Sequence, residues 1–182
     1  MSDERGNAVD ASGAVVLRAT GVREQSGARG VYYAWCHDES GNLKWQDAVE
    51  NVVTTIGAND ILDKYWDLTQ PSTKYMGLVL SSSPTFSTAD TMASHAGWTE
   101  STLYSGSRGI PTWNAASAKS KSANAVAFSI LSSGVVSGAF MVSTSSNPGS
   151  TTGTLISAGA FTGGNKNTSS GDTVNVTYSM AI

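Results

Sequence analysis

The chain has 182 residues, 40% of them apolar and only 14% charged, against roughly 25% charged in ordinary soluble domains. That length suits one domain plus appendages, because two domains would each have a thin core. The net charge of −3 is unevenly spread, since only Asp90, Glu100 and Asp172 follow Asp67, and the 11 basic residues form no run; without clustered Lys and Arg to displace counterions, the composition argues against direct nucleic-acid binding.

Residues 1–29 carry Gly6, Gly13, Gly21 and Gly27 but only one compact apolar run, Val15-Val16-Leu17. This is too little to close a core, and it reads as an extended N-terminal arm. Val15, Val16 and Leu17 are candidate interface residues, able to add a strand to the sheet edge of a partner. The opening Met1-Ser2-Asp3-Glu4-Arg5 lacks the basic-then-apolar pattern of a secretion signal. No stretch approaches the about 20 apolar residues of a membrane span. The expectation is a protein without membrane targeting.

The aromatic, β-branched run Val31-Tyr32-Tyr33-Ala34-Trp35-Cys36-His37, the turn Asp38 to Asn42 and the run Leu43-Lys44-Trp45 predict a hairpin. Trp35 and Trp45 are both candidates for its buried side. Cys36, the single cysteine, cannot form an internal disulfide and reads as a small buried hydrophobe. Val49, Val52, Val53 and Ile56 recur at helical spacing, but their β-branching leaves 48–56 open between strand and helix. Ile61, Leu62, Tyr65 and Trp66 predict a helix near 58–67, with Asn59 or Asp60 as its cap.

After Pro71 the chain reads as short strands between turn signals. The runs 75–80, 125–130, 135–142, 153–156 and 173–178 are the strand candidates, separated by stretches rich in Gly, Pro, Asn, Ser and Thr. The predicted fold is a mainly β domain over 30–182, an antiparallel β-sandwich or jelly-roll-like domain with one short helix. No repeat of 20 to 50 residues appears, so a solenoid is not indicated.

The residues that chemistry requires are sparse. No serine sits in Gly-x-Ser-x-Gly, and Tyr104-Ser105-Gly106-Ser107-Arg108-Gly109 has the wrong spacing and reads as a turn. His37 and His95 lack a second His or Cys at metal-ligand spacing. No phosphate-binding glycine loop occurs. Asp60, Asp63 and Asp67 share a helical face, as the paired carboxylates of a glycosidase would, yet with Lys64 beside them they fit a solvated surface. The expectation is no enzyme, no cofactor and no metal. The tryptophans Trp35, Trp45, Trp66, Trp98 and Trp113 are spread along the chain, as core or subunit-contact residues are; Trp98 and Trp113 join the arm as candidate interface positions.

The run Asp90-Thr91-Met92-Ala93-Ser94-His95-Ala96-Gly97-Trp98-Thr99-Glu100 resembles a recurring segment of small virion proteins of tailed bacteriophages. Gly41-Asn42-Leu43-Lys44-Trp45, Asn59-Asp60-Ile61-Leu62-Asp63-Lys64-Tyr65, Tyr75-Met76-Gly77-Leu78, Phe161-Thr162-Gly163-Gly164 and Gly171-Asp172-Thr173 agree with it in chain order. The resemblance covers roughly residues 30–182 and brings no catalytic residue. It implies a structural virion protein, made in the host cytoplasm: a capsid decoration or cement protein that binds the major capsid protein and copies of itself as a dimer or trimer. The alternative it implies is a tail or tail-fibre component that contacts tail proteins or a host glycan.

Overall fold

The computed structural model describes residues 28–66, 72–80, 82–143 and 146–181. The arm residues Val15, Val16 and Leu17 lie outside this set.

The expected hairpin forms from β1 (Arg29–His37) and β2 (Leu43–Glu50), paired antiparallel. Its turn closes on Asp38, whose carbonyl accepts the Gly41 N–H at 2.9 Å and whose carboxylate accepts the Asn42 N–H at 2.8 Å. Gly41 takes a φ of 85°, a left-handed conformation that glycine adopts without steric cost. Along β1 the side chains alternate: Tyr32, Ala34 and Cys36 are buried, while Val31 and Tyr33 face outward. Period two therefore sends Trp35 to the outer face, against the expectation that both tryptophans share the buried side. Trp45 pairs with Cys36 and turns inward, where its ring lies 5.5 Å from Phe161 and its indole N–H donates to the Asn167 carbonyl at 3.1 Å.

The open stretch 48–56 divides into the end of β2, the two-residue strand β3 (Val52–Val53) and the first turn of α1 (Thr55–Trp66). The helix starts three residues before the expected 58. Thr54 is its cap, with its hydroxyl accepting the Gly57 N–H at 3.0 Å and its carbonyl accepting the Ala58 N–H at 2.9 Å. The expected caps Asn59 and Asp60 lie inside the helix; Asp60 instead bridges Lys64 and Lys74.

Downstream come β4 (Lys74–Val79), β5 (Ser120–Ser122), β6 (Val126–Ser129), β7 (Gly134–Val136), β8 (Gly138–Ser143), β9 (Leu155–Ala160), β10 (Lys166–Thr168) and β11 (Thr173–Ala181). The expected strand over 135–142 is split at Ser137, whose N–H donates to the Val79 carbonyl at 2.8 Å and leaves the ladder. The strand expected at 153–156 begins later, at Leu155, because Gly153 is a turn residue with φ 97°. The short polar strands β5 and β10 had no hydrophobic pattern to announce them.

Two main antiparallel sheets result. One has the order β2-β1-β11-β5, with β6 also paired to β11; the other has the order β3-β9-β8-β4. Tyr32, Cys36, Val174, Val176 and Tyr178 from the first sheet join Met76, Leu78, Met141 and Ile156 from the second in one apolar cluster. Each such large side chain contributes about 1.5–3 kcal/mol on burial. A smaller cluster around Val79, Trp98, Phe140 and Leu155 lies beside it. β7 and β10 form a separate two-stranded ribbon.

Candidate functional site

The ionisable groups with the densest partners are consumed by packing. Arg108 and Glu100, both buried, form a two-pronged pair, with Nε to Oε1 at 2.8 Å and Nη2 to Oε2 at 2.7 Å. The carboxylate also accepts the Tyr104 hydroxyl at 3.1 Å and the Gly149 N–H at 2.6 Å. Arg108 Nη2 donates to the Ser150 carbonyl at 3.0 Å, and the guanidinium lies 5.3 Å from the Phe140 ring centre. Burial and then the charge of Glu100 hold the Tyr104 phenol well above its usual range. Such a group neither gives nor takes a proton near neutral pH, and the pair ties the loop after β8 to β4's neighbouring segment.

A second network surrounds Asp172, which is buried and accepts Lys44 Nζ at 2.5 Å and the Ser169 N–H at 2.7 Å. Cys36 Sγ lies 3.7 Å from the same carboxylate. Burial first, and the Asp172 charge second, push the thiol up to about 12, so it carries almost no thiolate and is a poor nucleophile. His95 stacks on Trp98 at 4.0 Å, with Nδ1 3.0 Å from the Trp98 carbonyl. No group of three or more His, Cys, Asp or Glu among the described residues is placed to hold a metal ion. Ser105 and Ser107 sit exposed in a turn around Gly106, and Asp67, the third carboxylate of the helical face, lies outside the described residues.

The candidate interface tryptophans separate. Trp98 is 2% exposed; its ring packs on Phe140 at 5.1 Å and its indole N–H donates to Asp90 at 3.1 Å. Its side chain is part of the smaller core cluster and does not face solvent. Trp113 is half-buried and stands edge-on to Tyr178 at 6.4 Å. It borders an open cleft of about 280 Å³ with Ile61, Met141, Ile156 and Met180, and with Lys74 and Lys121 also in the lining. Helix α1, five strands and the segment carrying Trp113 supply this cleft, so no single stretch of sequence announces it. The second feature that sequence reasoning missed is the outer face of the hairpin, where Tyr33, Trp35, His37, Leu43 and Gln46 line a shallow depression. The alternation in Val31–His37 was the available signal, because it separates Tyr33 and Trp35 from the inward set.

No protein-family model matches the chain, and no curated protein matches it.

Proposed function

We propose that the chain is a structural protein of a tailed-phage virion, a decoration or cement subunit that binds the assembled head through surface contacts and does no chemistry. The observation that carries this reading is the open apolar cleft bordered by Trp113. A cleft with half-buried Ile61, Trp113 and Met180 at its rim and Met141, Ile156 and Tyr178 buried beneath favours insertion of apolar groups from a partner. The major capsid protein is the partner proposed, with copies of the chain adjoining as a dimer or trimer. The motif resemblance over residues 30–182 supports the virion assignment, and the low charge limits repulsion between closely spaced copies. The two antiparallel sheets with a shared core fit a β-sandwich, a shape suited to standing on a shell as a compact knob. Anything that binds the assembled lattice in preference to free capsomers stabilises the lattice.

The test is titration of the purified protein onto heads that lack it. Saturable binding at a fixed ratio to capsid subunits, a higher temperature of DNA release and weaker binding of Trp113→Ala are expected. Finding no binding to heads, with the protein confined to tails at six or twelve copies per particle, would refute the head assignment.

A further inference from the structure

Alternation along β1 sends Val31, Tyr33 and Trp35 away from the core, and Val31 and Tyr33 are 37% and 39% exposed. The Tyr33 and Trp35 rings lie side by side, with centres 5.5 Å apart and planes inclined by 39°. Strand register places Trp35 between Gln46 of β2 and Asn175 of β11, and Tyr33 between Ala48 and Thr177. The Tyr33 hydroxyl donates to Gln46 Oε1 at 2.9 Å. That bond fixes the phenol and leaves the Gln46 amide nitrogen as the donor beside the indole. The result is a shallow depression of about 290 Å³ on a sheet face, lined by Tyr33, Trp35, Gln46, His37 and Leu43, with Asn175 beside it as the β11 neighbour of Trp35 on the same face.

Each part matches the chemistry of a sugar. The electron-rich face of an aromatic ring attracts the polarised C–H groups on one face of a pyranose. A carboxamide offers both donor and acceptor, as a hydroxyl demands. Tyr33, Trp35, Gln46, Asn175 and Thr177 are neutral polar or aromatic side chains, and no Lys, Arg, Asp or Glu lines the depression; His37 and Leu43 complete its lining. A second copy of the chain fits less well, because a flat apolar contact would bury the Gln46 and Asn175 amides without assured partners. We propose that the outer face of β1 is a binding site for a neutral glycan, stacked on Trp35 and Tyr33 and hydrogen-bonded by Gln46 and Asn175. The site needs only this sheet face and does not rest on the virion reading.

The test uses the full chain, labelled with nitrogen-15 and titrated with maltohexaose, cellohexaose, mannohexaose and chitohexaose, with polygalacturonate as an acidic control. At least one neutral oligosaccharide is expected to shift the Trp35 indole N–H and the Gln46 and Asn175 amide signals. Trp35→Ala should weaken that binding by about three- to tenfold. Asn175→Ala should weaken it too, and serves if Trp35→Ala folds poorly. Silence from all four neutral sugars, shifts that map elsewhere, or preference for polygalacturonate overturns the proposal. Because head binding is read separately, loss of sugar binding in a variant that still decorates heads distinguishes failure of this site from failure of the virion assignment.

Discussion

Replacing Arg108 with alanine removes the cation from a pair that is almost wholly out of water: the Arg108 side chain is 0% exposed and that of Glu100 5%. Glu100 would keep the Tyr104 hydroxyl and the Gly149 N–H but lose both guanidinium bonds, and the Phe140 ring would lose its overlying cation. Stranding one charge of a buried pair costs about 3–5 kcal/mol. A domain of this size has only about 5–15 kcal/mol in total, so the melting temperature should fall by roughly 6–20 °C at about 2–4 °C per kcal/mol. Glu100→Gln tests the other partner with less change of shape. Both carboxylate oxygens accept an N–H from Arg108, and either orientation of a Gln amide would set its NH2 group against one of those donors. Urea denaturation of the parent, both single variants and the double variant Glu100→Gln/Arg108→Ala gives the coupling between the two side chains. We expect the double variant to lose clearly less than the sum of the single losses, by at least about 1 kcal/mol. A loss below about 1 kcal/mol for Arg108→Ala would refute the reasoning, since it would mean that the pair is solvated and adds little.

Two further perturbations test local geometry. Gly57→Ala should destabilise the fold although alanine is the better helix former by about 1 kcal/mol, because a Cβ at 57 would stand only 2.6 Å from Ile156 Cα and push α1 off β9; a thermal melt above the parent's would contradict this. Asp47→Asn should lower stability at neutral pH, with a deficit that fades in acid. Burial alone would raise the Asp47 carboxyl, but Lys166, Thr162 and the Gly163 N–H together lower it from 3.8 to about 2. A depressed folded-state value stabilises above the unfolded value and loses that contribution as pH falls through about 2. After allowance for screening by solvent, the expected deficit at pH 7 is about 1 kcal/mol. Denaturation curves for the two proteins from pH 7 down to pH 2 should converge, and a deficit independent of pH would count against the ionised contacts.

Residues whose partners lie nearby in sequence were the legible ones. The hairpin was readable because Asp38 to Asn42 carries its own turn chemistry, β6 and β11 were readable from apolar alternation, and β4 from a continuous apolar run. The helix was legible in kind but not in its start, because Thr54 is masked in a β-branched run and caps only once Val52 and Val53 have paired with β9. Long-range pairing decided the rest. Ser120–Ser122 and Lys166–Thr168 have no apolar face, and they are strands only because β11 and β7 offer them ladder partners. Trp98 and Trp113 look alike in sequence, and only the fold separates them, by placing Phe140 and His95 around the first and an open cleft beside the second.

The two surface features belong to opposite sides of one sheet. Tyr178 and Met180, which line the cleft, fall on the same alternating set of β11 as the buried Val174 and Val176. Asn175 and Thr177, which flank the aromatic rings, belong to the other set. A subunit that seats its Trp113 cleft against a partner therefore need not cover Tyr33 and Trp35. The same period of two explains why the aromatic face was hard to see in the sequence: Tyr32 and Tyr33 are adjacent and chemically identical, yet one is fully buried with its hydroxyl 2.6 Å from Ser157 Oγ and the other faces solvent. A shift of one residue in the β1 register would exchange them, placing Trp35 in the core and Cys36 outside. The complete burial of the small Ala34 and Cys36 in the shared cluster is what opposes that shift, so the packing of small residues inside fixes which aromatic residues remain available outside.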